Sequence, residues 1–261
     1  MSTLGSVQPL ITTDILILLL FSVNGYANQD LQSIKAEADS AYVDENYDRA
    51  VELYLQLAQE NAKDAHLCYN LGCAYYRLDS IAKSILWFER AALIEPDDDE
   101  IAYNLDMVRT KTIDRFIPLH EMFFARVYRS VVNTFSSYKW ACLGISFFVI
   151  FLLALGLYLF TSRMVLRKTG FFSAVLFVVL TIMANVFAYQ QLKYAESSMK
   201  GVIMDTSVTV KSTPSESGND LFVIHEGTCV EIQDDSMKEW ARVRLSDGKM
   251  GWIEKKTFER I

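Results

Sequence analysis

The chain is poor in the residues that most often carry catalysis or hold metals. Its 261 residues include three histidines, four cysteines and four prolines. Cys68, Cys73, Cys142 and Cys229 are scattered, with no CxxC pair and no Cys/His spacing that would enclose zinc. Cys68 and Cys73 sit five apart on an expected helix, which points them about 140° away from each other and excludes a bond between them there. They read as small packing residues. His66, His120 and His225 are too few to supply a metal site. There is no GxSxG elbow, no glycine-rich phosphate loop and no Cys/His pair within one segment. Asp97 and Asp99 fall on an expected turn, where carboxylates are solvated. No catalytic residue, cofactor or metal is therefore expected, and the chain reads as a non-enzyme. Basic charge is scarce too. The net charge is −7, and Lys and Arg gather nowhere except beside two apolar runs, which argues against a nucleic-acid partner.

Those two runs lack charge altogether. Ala141 to Phe160 and Phe171 to Tyr189 contain no ionisable Lys, Arg, Asp or Glu. At a rise of ~1.5 Å per residue, each is long enough to span a ~30 Å hydrocarbon core as a helix. Trp140, Tyr158 and Tyr189 stand near their ends, as interfacial aromatics do. Transmembrane helices are expected over 140–160 and 171–189; two uncharged spans of this length disfavour the alternative of a buried hairpin in a soluble protein. The connecting loop 161–170 carries Arg163, Arg167 and Lys168, which favours the cytoplasmic side, although Arg126, Arg129 and Lys139 before the first span reduce the bias. Residues 1–27 read as a signal peptide. Ile15–Val23 is its apolar core, and Gly25 and Ala27 are small residues before Asn28, but Asp14 precedes the core and no Lys or Arg does. Cleaved or kept as an anchor, it exports the region after it, and no cysteine stands next to the core to make a lipoprotein signal. An exported N-terminal region agrees with a cytoplasmic 161–170 loop and puts both flanking regions on the outer face.

Residues 28–118 repeat with a period of 34. The clearest copy, Ala65–Asp98, supplies Leu71-Gly72, Tyr75, Ser84, Phe88, Ala91 and Pro96. Gly72 and Ser84 are small, so two antiparallel helices can approach closely, and Tyr75 and Phe88 fill the space between them. One period earlier stand Ala38, Ala41, Ala50 and Tyr54; one period later, Tyr103-Asn104-Leu105 echoes Tyr69-Asn70-Leu71. Helices are expected at 31–45, 48–62, 65–78, 81–94 and 99–115, about two and a half repeats ending in a cap. Asp97-Asp98-Asp99-Glu100 separates the last two and offers negative charge to a helix N-terminus.

A juxtamembrane amphipathic segment, 119–139, comes next. Met122, Phe123, Phe124, Val127, Tyr128, Val131, Val132 and Phe135 make an apolar stripe at helical spacing. It is either a helix laid on the lipid surface, with Arg126 and Arg129 reaching head groups, or a cap packed on the repeats. After a polar linker at 190–201 the pattern becomes β. Val208–Val210, Leu221–Ile224, Thr228–Ile232 and Trp240–Leu245 alternate or run apolar, and Asp247-Gly248 marks a hairpin turn. A tail this small buries a core only by closing into a barrel. The fold class is thus a multi-domain membrane protein: an all-α tetratricopeptide repeat domain, a two-helix transmembrane hairpin and a small all-β barrel at 202–261.

The tail resembles a bacterial SH3-type (SH3b) domain at Val210-Lys211, Pro214, Ser217-Gly218, Glu226-Gly227, Val230, Trp240, Val243, Asp247-Gly248 and Gly251-Trp252-Ile253. The full order of segments is similar to the BatE-like proteins of the Bacteroides aerotolerance family. That likeness is sharpest at Tyr69-Asn70-Leu71-Gly72, Tyr103-Asn104-Leu105, Arg109, Asp114-Arg115, Tyr189-Gln190 and Ser207 through Gly227. The resemblance implies an inner-membrane protein with periplasmic N- and C-terminal domains. It also implies partners among von Willebrand A-type membrane proteins and a MoxR-type ATPase, and a role in oxygen tolerance.

Tetratricopeptide units bind on the face formed by the first helix of each repeat. Here that face would carry Gln32, Lys35, Asp39 and Tyr42 in the first copy, and His66, Tyr69, Cys73, Tyr76 and Arg77 in the second. Aromatic, amide and charged groups together suit a peptide or a partner helix. The carboxylate-clamp variety is not matched, since Asp39 stands where its Asn partner to Lys35 would be. The plainer reading is that this face only packs against the cap. Two functions remain open: a scaffold joining membrane proteins, or an envelope-binding module that grips cell-wall peptide or glycan through the SH3b tail. A solvent-exposed aromatic groove on the tail would favour the second; buried aromatics alone would favour the first.

Overall fold

The computed structural model describes residues 31–60, 63–116, 123–196 and 199–261. The expected signal at 1–27, and Pro118 and Met122, lie outside the described residues. The chain divides into two compact units, Met1–Ala62 and Lys63–Ile261.

The first unit holds α1, helical through 31–43, and α2, Tyr47–Glu60. Ala38 and Ala50 are fully buried and Tyr54 nearly so. The Tyr54 hydroxyl donates to Asp39 Oδ1 at 2.7 Å. The chain turns between the helices at Glu45, whose φ is +62°.

The second unit begins with the same hairpin one period on. Helix α3, Ala65–Arg77, is capped by Asp64, which accepts the Leu67 N–H at 3.2 Å. Asp79, one period after Glu45, turns the chain with φ +56° into α4, Ile81–Ile94. A Cβ placed on Gly72 would lie 2.8 Å from the Phe88 ring. The buried Ser84 hydroxyl donates to the Gly72 carbonyl at 2.8 Å. Glycine is needed at 72 because the ring rests on the backbone itself. Helix α5, Asp99–Arg109, starts at Asp98, which accepts the Glu100 and Ile101 N–H groups at 2.8 and 3.1 Å. It was expected to reach 115 but ends at Arg109. The Thr110 and Thr112 hydroxyls turn back onto the carbonyls of Met107 and Arg109, a local alternative to continuing the helix. Asp97 is not solvated as expected: its carboxylate meets Lys139 Nζ at 2.6 Å.

After α6, Phe123–Val132, come α7, Ser137–Phe160, and α8, Met164–Glu196. Both are long and apolar enough to cross a membrane. Helices α7 and α8 form an antiparallel hairpin with a seam of small residues. A Cβ on Gly170 would meet the Tyr158 backbone N at 2.8 Å, and one on Gly144 would meet Asn185 at 3.0 Å. Ala154, Ala174 and Ala184 are buried along the same seam. Small residues are what let helix backbones meet this closely in an apolar medium. Away from the seam the large side chains are uncovered, Leu153 at 70% and Phe172 at 69% exposure. The expected 161–170 loop is mostly helical, with only residues 161–163 outside the two helices. Arg167 and Lys168 sit comfortably in a helix, and Arg167 lies over the Tyr158 ring at 5.2 Å. The expected linker 190–201 is likewise shorter, since α8 runs to Glu196 and the first strand starts at Lys200.

The tail forms one antiparallel sheet of β1 Lys200–Ile203, β2 Ser207–Lys211, β3 Asp220–His225, β4 Cys229–Asp234, β5 Trp240–Arg244, β6 Met250–Glu254 and β7 Phe258–Arg260. The spatial order is β3-β2-β6-β5-β4-β1-β7. The β5–β6 hairpin turns at Asp247-Gly248 as expected, with Gly248 at φ +88° and Asp247 Oδ1 accepting the Lys249 N–H at 3.0 Å. The ladder is not closed: β3 and β7 stand at its two ends rather than pairing. Yet all seven strands line one core, from Ile203 and Val210 through Ile224, Val230 and Val243 to Ile253 and Phe258. Curvature, not closure, gathers that core.

The sheet is not independent of the helices. Val202 is fully buried among Ala82, Ile85, Leu86, Phe88, Leu105 and Val108, and Met204, Cys229 and Ile261 pack on the same cluster. Gly227, at φ +78°, fits its turn between the ends of Thr112 and Ile85; a Cβ there would meet them at 2.8 and 3.0 Å. Arg90 donates to Glu259 at 3.0 Å and to the Arg260 carbonyl at 2.6 Å. One hydrophobic core thus belongs to both α4–α5 and β1.

Candidate functional site

In the first unit, Lys35 is exposed on α1, and Asp39 is engaged by Tyr54 as described. In the second unit, His66 and Arg77 are exposed on α3, while Tyr69, Cys73 and Tyr76 are half-buried. The Tyr69 hydroxyl donates to Glu100 Oε1 at 2.6 Å and accepts from Asn104 Nδ2 at 3.0 Å. Its ring meets Phe88 edge-on at 5.6 Å. Burial, reinforced by the Glu100 hydrogen bond, raises the pKa of the Tyr69 hydroxyl well above its ordinary value. Tyr76 lies under Lys111 Nζ at 4.5 Å, and Cys73 packs on the shared core. These three residues join one repeat to the next. The chemistry suits inter-helix packing, since a tyrosine between an acceptor and a donor fixes the spacing of two helices.

The period then identifies a residue that the groove set omitted. Tyr103 stands on α5 where Tyr69 stands on α3, but it is 72% exposed. Within the second unit, Tyr69 is covered by the helix that follows it; Tyr103 is the same side chain at the open end. The internal echo at Tyr103-Asn104-Leu105 was the signal for it.

A second cluster lies between helices and sheet. The Asp114 carboxylate accepts the His225 backbone N–H at 2.6 Å and the Thr228 hydroxyl at 2.8 Å, and stands 2.9 Å from His225 Nδ1. Burial works to raise its pKa, but the hydrogen bonds from His225 and Thr228 outweigh it and hold the carboxyl below its usual range. Nearby, Glu89 is buried and pairs with Arg109, and the Cys229 thiol lies 3.3 Å from the same carboxylate. Burial, with the Glu89 charge adding to it, pushes the Cys229 thiol far up, which makes it a packing group rather than a nucleophile. Cys68, buried as well, is raised to about 11. Nothing in the sequence singled out Asp114 or Glu89 as junction residues.

The sheet carries an open cleft of about 310 Å³ lined by Asp205, Lys211, Glu216, Trp240, Glu254 and Lys256, among others. Trp240 is partly buried and lines the cleft together with those acids and lysines. An indole face ringed by hydrogen-bonding groups can stack on a sugar or an extended peptide. Phe222 packs on the barrel-like core, with Lys249 Nζ 5.8 Å from its ring.

No protein-family model matches the chain, and no curated protein matches it. Among solved structures, it is similar to the crystal structure of the Sgt2 TPR domain from Aspergillus fumigatus. That likeness has 13% sequence identity, covers 64% of this chain and 82% of that chain, and has a TM-score of 0.30, too low to carry an argument. The tetratricopeptide-like character of the helices rests instead on their own geometry: the 34-residue period, the recurring left-handed turn and the small residues at each hairpin.

Proposed function

We propose that the protein is a membrane-anchored, non-catalytic scaffold, BatE-like in type, whose helical repeats and SH3-like sheet face the periplasm and hold protein partners. The observation that carries this reading is the core shared by α4, α5 and β1, attached to one end of an uncovered apolar hairpin. Helices and sheet then present one fixed surface beside the membrane instead of two modules swinging on tethers, and fixed surfaces lose less entropy on binding. Helices such as α3 and α5 offer a face of the kind that peptides and partner helices use. The link to von Willebrand A-type proteins, a MoxR-type ATPase and oxygen tolerance rests on the sequence resemblance.

Tyr103 is the contact to test, because aromatic side chains dominate such interfaces and this one is open. A photo-crosslinking residue at 103, in the full chain in its native membrane, is expected to trap a discrete membrane protein. Absence of a protein adduct there and at His66 would overturn the scaffold reading.

The Trp240 cleft favours a second reading, in which the tail grips cell-wall peptide or glycan. Its test is retention on purified cell wall. Retention that Trp240→Ala abolishes, with no protein crosslink at 103, makes the envelope-binding function the better one.

A further inference from the structure

Helix α6 has an apolar face that is largely uncovered among the described residues. Phe123 and Phe124 are 70% and 83% exposed, and Val127, Tyr128 and Val131 are each more than two-fifths exposed. Successive positions at three- and four-residue spacing put these side chains on one side of the helix, with Arg129 roughly opposite. Left in water, such a stripe is an association hazard for a soluble surface.

The attachment of α6 indicates what covers it. The Tyr128 ring meets Phe187 of α8 at 6.2 Å, and its hydroxyl bonds to Gln190. Past the end of α6, the Trp140 indole donates to the Val132 carbonyl at 2.9 Å. Trp140 also meets Phe135 and Phe187 edge-on at 5.2 and 5.0 Å. Helix α6 is therefore fastened at the level where the apolar surface of α7 and α8 gives way to polar Gln190 and Lys139. The uncovered faces of α6 and the hairpin are continuous through Tyr128, Phe187 and Trp140.

We infer that α6 is a lipid-contacting helix: its Phe123, Phe124, Val127, Tyr128 and Val131 stripe enters the boundary between head groups and acyl chains at the Trp140 end of the hairpin. Lipid is the one occupant that covers both surfaces at once. A helix lying in that plane holds the emerging chain against the membrane surface, so the modules beyond it keep a set height above the bilayer. This inference rests on the reading of α7 and α8 as membrane spans.

The test is made on the full chain in lipid vesicles, with a nitroxide label at one site at a time. The background replaces Cys73, Cys142 and Cys229 with alanine, and Cys68 is left as the buried thiol that it is. Labels go on Phe124→Cys, Val127→Cys and Val131→Cys in the stripe, Arg129→Cys on the far side, and Leu153→Cys in mid-hairpin. Collision with lipid-soluble oxygen is expected to exceed collision with a water-soluble nickel chelate at 124, 127 and 131, with the order reversed at 129. Nickel-dominated collision at all three stripe positions, while the label at 153 remains in lipid, overturns the inference and leaves the membrane reading intact. Nickel-dominated collision at 153 as well overturns both.

Discussion

Substitution of Gly72 tests the closeness of α3 and α4 most directly. An alanine Cβ would sit 2.8–2.9 Å from three atoms of the Phe88 ring. Carbon contacts are comfortable at about 3.5–4.0 Å, so the ring must retreat by well over half an ångström. Phe88 is 1% exposed and shares its core with Leu105 and Val108 of α5, and its ring also meets Tyr69, which is held by Glu100 and Asn104 of the same helix. Retreat therefore pushes on α5. Overpacking of this kind costs about 1–3 kcal/mol, while alanine recovers about 1 kcal/mol of helix propensity over glycine. Gly72→Ala should lose about 1 kcal/mol net, and Gly72→Leu, with three more carbons in the same space, about 2 kcal/mol or more. Hydrogen exchange on the full chain in detergent reads this locally: amides in α3 and α4 should exchange about 5-fold faster for alanine and about 30-fold faster for leucine. Phe88→Ala removes all three obstructing ring atoms, so Gly72→Ala made in that background should cost nothing or stabilise. Unchanged protection in the single variants, or simple additivity in the double variant, would refute the contact.

Asp114→Ala removes the acceptor for the His225 N–H and Thr228 hydroxyl and should cost about 1–3 kcal/mol, read as faster exchange at His225. Because the folded-state pKa of Asp114 is lowered, its contribution is present above the unfolded value of about 4 and is lost as pH falls through the lowered one; Asp114→Ala should abolish that acid sensitivity, and an equal acid response in both proteins would count against a stabilising role for the Asp114–His225–Thr228 cluster. Gly227→Val combines a left-handed backbone with contact on Thr112 and Ile85, and should loosen the sheet from α4 by at least about 1 kcal/mol, visible as increased proteolysis of the tail. Arg90→Ala breaks a part-exposed pair with Glu259 and should change melting by no more than about 1 kcal/mol; a larger loss would mean that the Arg90 bond to the Arg260 carbonyl dominates.

The helices were legible because a repeat states its packing twice. Gly72 with Ser84 and Ala38 with Ala50 are the same pairing one period apart, and both pairs are buried. The β5–β6 hairpin was legible because Asp247-Gly248 supplies the left-handed glycine, φ +88°, that a tight hairpin turn needs. The junction was not legible. Ile85 and Val108 carry the apolar periodicity of any helix, which does not say whether the covering surface is another helix or a strand far along the chain. Asp114 looked like one more residue of α5 until the threonines ended that helix. For Tyr69 and Tyr76 the repeat pattern gives a face, but not that Glu100 and Lys111 already engage them there.

The shared core also orders events in time. Val202 comes 94 residues after Val108, with both apolar helices between them. A newly made α4 therefore waits, its Ile85 side bare, until α8 has been completed and β1 has emerged. For a free chain, closing so long a loop would be slow and entropically costly. The α7–α8 hairpin shortens it, because it folds back on itself so that the Trp140 and Phe187 rings meet at 5.0 Å. Once the hairpin has formed, the strand is delivered beside the helices that need it. Formation of the hairpin and completion of the helical body are then one sequence of steps, and a defect in α8 would appear first as an unfinished helical repeat.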